Sequence, residues 1–187
     1  MLKFLSRFRP KVRPEIVDAK LIYQKIMQQS RHSAFFGQKK FADNYDGRME
    51  VLCLHLSVVL RNLRKFDENG QRLSQALYDV MVEDFDIALR EEGLSDTGVA
   101  RRIKPLAKMF FGRAKAYAGI FDMESGQEQA LRLLFAKYIP TTHKDNLELN
   151  EDFTSKLAEY TVRFSEVLAT KTLGEIASGL FDFPKNP

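Results

Sequence analysis

Three histidines, one cysteine and a line of carboxylates are the side chains here that could do chemistry. A zinc or di-iron centre needs ligands repeated at short spacing on facing elements. His32, His55 and His143 stand far apart, none has a ligand at i+4, and no Glu-x-x-His pair occurs. No CxxCH is present to attach haem, but a lone His or Met ligand leaves no motif, so a haem- or quinone-handling protein stays open as one reading. Phosphate and acyl chemistry are not signalled either, because there is no GxxxxGK[ST], no GxGxxG opening a helix and no GxSxG. Asp79, Glu83 and Asp86 share a helical face at steps of four and three, a spacing that suits acid–base work or a cation. With no histidine or second acidic set beside them, a solvated acidic face is the better reading. His55 is read as a core histidine with a hydrogen-bonded ring. Cys53 is read as a small buried hydrophobe, since no neighbouring cation marks it as reactive. These residues point to no enzyme, metal or cofactor.

What the sequence does carry is charge and aromatic pattern. The net charge is +4, which permits anionic partners without demanding them. Between Thr97 and Phe121 lie Arg101, Arg102, Lys104, Lys108, Arg113 and Lys115 with no acid among them, whereas the preceding helical stretch carries Asp79, Glu83, Asp84, Asp86, Glu91 and Glu92. Either the two stripes pair with each other, or the basic one is free to meet an acidic protein, lipid or RNA, and the binding face is preferred. Glu83, Asp84, Arg101, Lys104, Lys108, Arg113 and Lys115 are therefore the partner-binding candidates. Phe35 and Phe36, interleaved with Arg31, Lys39 and Lys40, join them as an aromatic–cation loop, although loop aromatics more often pack onto the body. Residues 1–14 hold five cations and no acid, and Lys3, Phe4, Arg7, Phe8 and Arg9 are the membrane-surface candidates. A disordered tail is an equal alternative, and Pro10 and Pro14 oppose one continuous helix.

The elements that position these residues are helical. Pro14 suits a first helical position, and Ile16, Val17, Tyr23, Ile26 and Met27 recur with helical spacing up to Ser30. Arg31–Tyr45 reads as a loop. Asp46 is placed as the N-cap of a helix from Gly47 to Phe66, apolar nearly all round and hence central. Asp67–Gly70 reads as a turn, and a helix from Leu73 to Glu92 ends at Gly93. Ser95 or Asp96 caps a helix to Phe121, kinked at Pro105, with Val99, Ile103, Leu106, Phe110, Tyr117 and Phe121 inward. Gly112 within it costs about 1 kcal/mol against Ala, which predicts a close crossing by a neighbour. A capping box of Ser125 and Glu128 opens a helix ending before Pro140. Asn150 caps another, with Phe153, Leu157, Tyr160, Phe164 and Leu168 at steps of three and four. Thr172 and Glu175 form a second capping box before a short last helix. The expectation is an all-α, single bundle-like domain of about seven helices over residues 15–187.

Length and composition agree with one domain. A chain of 187 residues with 44% hydrophobic content can bury a core without disulfides or structural metal. One cysteine makes an internal disulfide impossible and fits a reducing compartment. The longest apolar run, Val51–Leu60, is far short of the roughly 20 residues of a membrane span.

From Leu21 to Phe183 the chain is similar to the ubiquinol–cytochrome c chaperones. The resemblance rests on Leu54-His55-Leu56 through Arg61 and Arg64, then past Gly70 to Glu83-Asp84 and Leu89-Arg90. It continues from Ser95 to Tyr117 with Val99, Lys104, Met109 and Phe111, then in Ala130-Leu131, Phe135, Tyr160 and Leu173-Gly174-Glu175. It implies a non-enzymatic helical assembly factor of respiratory complex III that binds newly made cytochrome b at the inner membrane, near the ribosome and with a small partner protein. The short leader implies a bacterial member at the cytoplasmic face, as against the matrix side in a mitochondrion. No DNA contact is implied. The rival reading from the residues is a peripheral ribosome- or RNA-binding module.

Overall fold

Every residue from Val51 to Val59 is buried, His55 and Ser57 included, so the helix that carries them has to be wrapped on all sides. The computed structural model describes residues 13–138 and 151–187, and shows how this is done. Among the described residues there are seven α-helices: α1 Pro14–Ser30, α2 Tyr45–Leu63, α3 Asp67–Glu91, α4 Asp96–Phe121, α5 Gln127–Tyr138, α6 Glu151–Ala169 and α7 Leu173–Ala177. A 3-10 turn, Ser33–Phe35, sits in the connection between α1 and α2. The sheet-like contact seen among them is an isolated bridge between Phe36 and Phe41. α2 is the centre, packed by α1, α3, α4 and α6, with α5 lying on α4 and α6. Lys3, Phe4, Arg7, Phe8, Arg9, His143 and Asn150 lie outside the described residues.

The segment after α7 seals the end of the bundle where α1, α2 and α6 meet. Lys25 donates to the Gly179 carbonyl at 2.8 Å, and Gln29 donates to Asn186 Oδ1 at 2.7 Å. Those anchors set Phe183 edge-on to the His55 ring at 5.7 Å and 5.0 Å from Phe164. His55 itself is fully buried and fully bonded. Nδ1 lies 2.8 Å from the Val51 carbonyl and 3.1 Å from Ser30 Oγ, and Nε2 lies 2.7 Å from the Tyr160 hydroxyl. A carbonyl only accepts, so the network assigns the proton to Nδ1 and leaves Nε2 to accept from Tyr160. Cys53 is 1% exposed, and burial pushes its thiol up to about 12, which makes it inert at neutral pH.

Several helix ends differ from those read in the sequence, each for a local reason. Asn44, not Asp46, caps α2, its side chain accepting from the Gly47 N–H at 2.9 Å. α3 starts at Asp67, so the predicted turn is its first turn. Gly70 is there for space: a Cβ would stand 2.1 Å from the Leu63 carbonyl oxygen. The Ser125–Glu128 box does not open α5, because the Gly126 carbonyl already accepts from Ala130 and the helix begins at Gln127. The Thr172–Glu175 box is present with both of its bonds. α4 continues through Pro105, which has no N–H to give the Arg101 carbonyl. Gly112 has nothing within 4 Å of its missing Cβ among the described residues, so none of the described helices crosses there.

The contrast between the two glycines is testable. Gly70→Ala forces a backbone contact apart and is expected to cost about 2 kcal/mol. Gly112→Ala meets open space and is expected to gain about 1 kcal/mol from helix propensity. Urea unfolding of the two variants beside the parent chain checks both signs.

Candidate functional site

Ser95 caps α4, its hydroxyl accepting from the Gly98 N–H, and Val99, Phe110, Tyr117 and Phe121 turn inward. Arg101, Arg102, Lys104, Lys108 and Lys115 are thereby left exposed. At about 100° per residue, Lys104, Lys108, Phe111 and Lys115 fall within one stripe of the helix. Phe111 is 56% exposed in the middle of it. Among the described residues none of these five cations is in an ion pair.

The lower half of this stripe borders a cleft of about 580 Å³ between α2, α3 and α4. Tyr78, Phe110 and Phe111 form its aromatic wall, with Tyr78 and Phe111 centroids 5.1 Å apart and Phe110 and Phe111 5.9 Å apart. Arg61, Arg64 and Lys115 line it, and among the described residues no carboxylate or imidazole does. Such a lining can bury apolar groups and attract negative charge, but it offers no base to a nucleophile. The sequence held one overlooked signal for it. Phe110 and Phe111 are adjacent on a helix with one inward stripe, so only one of them can enter the core.

Residues 38–183 match the profile of the family described as Ubiquinol-cytochrome C chaperone. The chain belongs to the ubiquinol–cytochrome c chaperone family. The match takes in α2 to α7 and so the whole cleft, while α1 precedes it. The fold is shared with the crystal structure of the Cbp3 homolog from Brucella abortus, at a TM-score of 0.75 and 26% identity over 92% of this chain and 91% of that one. A comparison with curated protein sequences returns no match. The family is one of complex III assembly chaperones, and its membership implies a protein client.

In this chaperone the other predicted site residues are dispersed. The acidic stripe of α3 turns to α1 and to itself, not to α4. Glu83 lies 3.9 Å from Lys20, Asp84 accepts from the Tyr23 hydroxyl at 2.8 Å, and Asp86 holds Arg90, which also reaches Asp96. Burial, followed by this bond to Asp84, pushes the Tyr23 hydroxyl well above its ordinary range. Among the described residues three metal-ligating side chains do not come together anywhere. Arg113 leaves the basic stripe altogether. It enters the core, donates from Nε to Glu50 Oε2 at 2.7 Å, and stacks 3.3 Å over the Tyr138 ring. Phe35 is not a surface residue: the 3-10 turn buries it completely, edge-on to His55 at 5.3 Å and Tyr160 at 5.4 Å. Phe36 is half-buried beside it.

Proposed function

We propose that this chaperone holds newly made cytochrome b until haem and partner subunits are added. It would act beside the inner membrane, at the cytoplasmic face in a bacterium or the matrix side in a mitochondrion. The observation that carries the reading is the unpaired cationic stripe of α4 bordering an apolar cleft, on a chain of this family. Cytochrome b presents long apolar helices that aggregate before assembly. A surface that combines exposed rings with free cations can cover such a segment and its charged flank. No helix among the described residues is long and apolar enough to cross a membrane. The bilayer contact proposed is peripheral, through Lys3, Phe4, Arg7, Phe8 and Arg9. A small assembly partner and the ribosome are further contacts in this reading.

The test is affinity capture from native membranes followed by mass spectrometry. The parent chain is expected to enrich cytochrome b over other membrane proteins. The double variant Lys104→Glu, Lys108→Glu is expected to recover roughly tenfold less, as charge reversal at a complementary surface does. Its melting temperature should stay unchanged, because both side chains are exposed and unpaired. Equal capture by parent and variant would remove the α4 stripe from the site. Recovery of ribosomal proteins alone, with steep salt dependence, would favour the RNA-binding reading.

A further inference from the structure

We infer that the cleft between α2, α3 and α4 is a groove for one amphipathic helix of a partner chain, seated with its apolar face on Tyr78 and Phe111 and its acidic edge along Lys104, Lys108 and Lys115. This rests on the chaperone reading only for which chain supplies the helix. Four observations converge on it. First, the cleft between the three helices holds about 580 Å³, a volume in the range of binding clefts. Second, its wall is aromatic and Phe111 is left largely bare, as a central anchor requires.

Third, the charge has one sign. Arg61 is held by its Nη2 bonds to the Phe121 carbonyl and Asp122, but Arg64 and Lys115 have no ion partner among the described residues, and no acid lines the cleft. The occupant therefore brings carboxylates. Fourth, the surface is long. The cleft takes in α4 from Phe110 to Ala118, and with Lys108 and Lys104 continuing the stripe beyond its end the α4 face extends about 21 Å, roughly four helical turns, the length of a docked helix rather than of a small molecule. A flat anionic bilayer would meet the lysines and Phe111 but could not follow the concave cleft down to Tyr78.

The full chain is titrated, by fluorescence anisotropy, into two labelled helical peptides of about 18 residues, long enough to span the face. Both carry the same Leu/Phe face. One has glutamates along the edge and the other lysines. The glutamate-edged peptide is expected to bind at least about tenfold more tightly, and Phe111→Asp to weaken it by at least about tenfold. Leu180→Asp, equally exposed but remote from the cleft, should leave binding within about twofold, as a surface change outside the contact does. Phe111 is exposed enough for its variant to fold, and a thermal melt confirms it. Equal affinity for the two peptides, no binding of either, or an unaffected Phe111→Asp variant overturns the groove. So does binding to vesicles containing anionic lipid with none to peptide. Cytochrome b capture that survives loss of peptide binding would discard the groove and keep the client. Peptide binding without cytochrome b capture would keep the groove and discard the client.

Discussion

Arg113→Met is expected to destabilise the chain by about 3–5 kcal/mol, because it strands a buried carboxylate. Glu50 is 7% exposed on the central helix, and Arg113 is its counter-charge, with Nε and Nη2 bonded to the two carboxylate oxygens. The side chains of the pair are 16% and 9% exposed, so water cannot replace the lost partner. Surface pairs such as Lys20 with Glu83, more than half exposed on both sides, are worth only about 0–1 kcal/mol by contrast. The decisive comparison is the double variant Glu50→Leu, Arg113→Met. A buried pair replaced as a unit by apolar groups is close to neutral, so the double variant should recover most of the loss. Denaturant unfolding of the two single variants and the double closes the cycle. Additive losses would show that the pair is not the source of the cost. The pair also has a functional consequence. By fixing the rotation of α4 on α2, it determines that Lys104, Lys108, Phe111 and Lys115 face outward.

Arg113 also shows what sequence reading could and could not reach. It stands two residues from Lys115, about 200° round a helix, so spacing alone removes it from a stripe that contains Lys115. Its partner, 63 residues away on α2, was not legible, since nothing local announces a long-range ion pair. The same division runs through the fold. Periodic burial was legible: Phe153, Leu157, Tyr160, Phe164 and Leu168 are all buried, as their spacing requires. So was the reciprocal chemistry of Thr172 and Glu175, which is complete within four residues. Gly70 and Gly112 were misread in opposite senses. The sequence places Gly70 in a turn, whereas it serves a close approach, and predicts a close approach at Gly112, which faces open space. Glycine reports only a missing Cβ, and whether a neighbour needs that space is a tertiary fact. The cleft belongs to the same class. Its wall draws on α3 and α4 and its floor on α2, so no single segment carries its pattern, and the pair Phe110–Phe111 was the lone local trace.

His55 yields a prediction with a direction fixed by its surroundings. Burial pushes its pKa from the ordinary 6.5 down to about 4, offset only in part by the bond to the Val51 carbonyl. The groups packed on the ring from every side are Ser30, Phe35, Tyr160, Phe164 and Phe183, with neither a carboxylate nor a cation among them. Protonation would place a charge among these rings and turn Nε2 into a donor facing the proton of the Tyr160 hydroxyl. The unfolded chain therefore takes up a proton below pH 6.5 that the folded chain refuses until about pH 4. Stability carries no His55 penalty above pH 6.5, falls as the pH drops through that window, and has lost about 3 kcal/mol by its lower end. Carboxylates titrate in part of the same range, so the informative quantity is a difference. His55→Gln keeps an amide able to donate to Val51 and accept from Tyr160, but does not titrate. It should be less stable than the parent at pH 7.5 through lost ring packing, and the gap should close by about 3 kcal/mol as the pH is lowered to 4. Guanidinium unfolding of both chains across that range measures the gap. A gap that stays constant with pH would mean that the folded core accommodates the imidazolium, with Tyr160 turning its lone pair to Nε2 and Gln29 adjusting behind it.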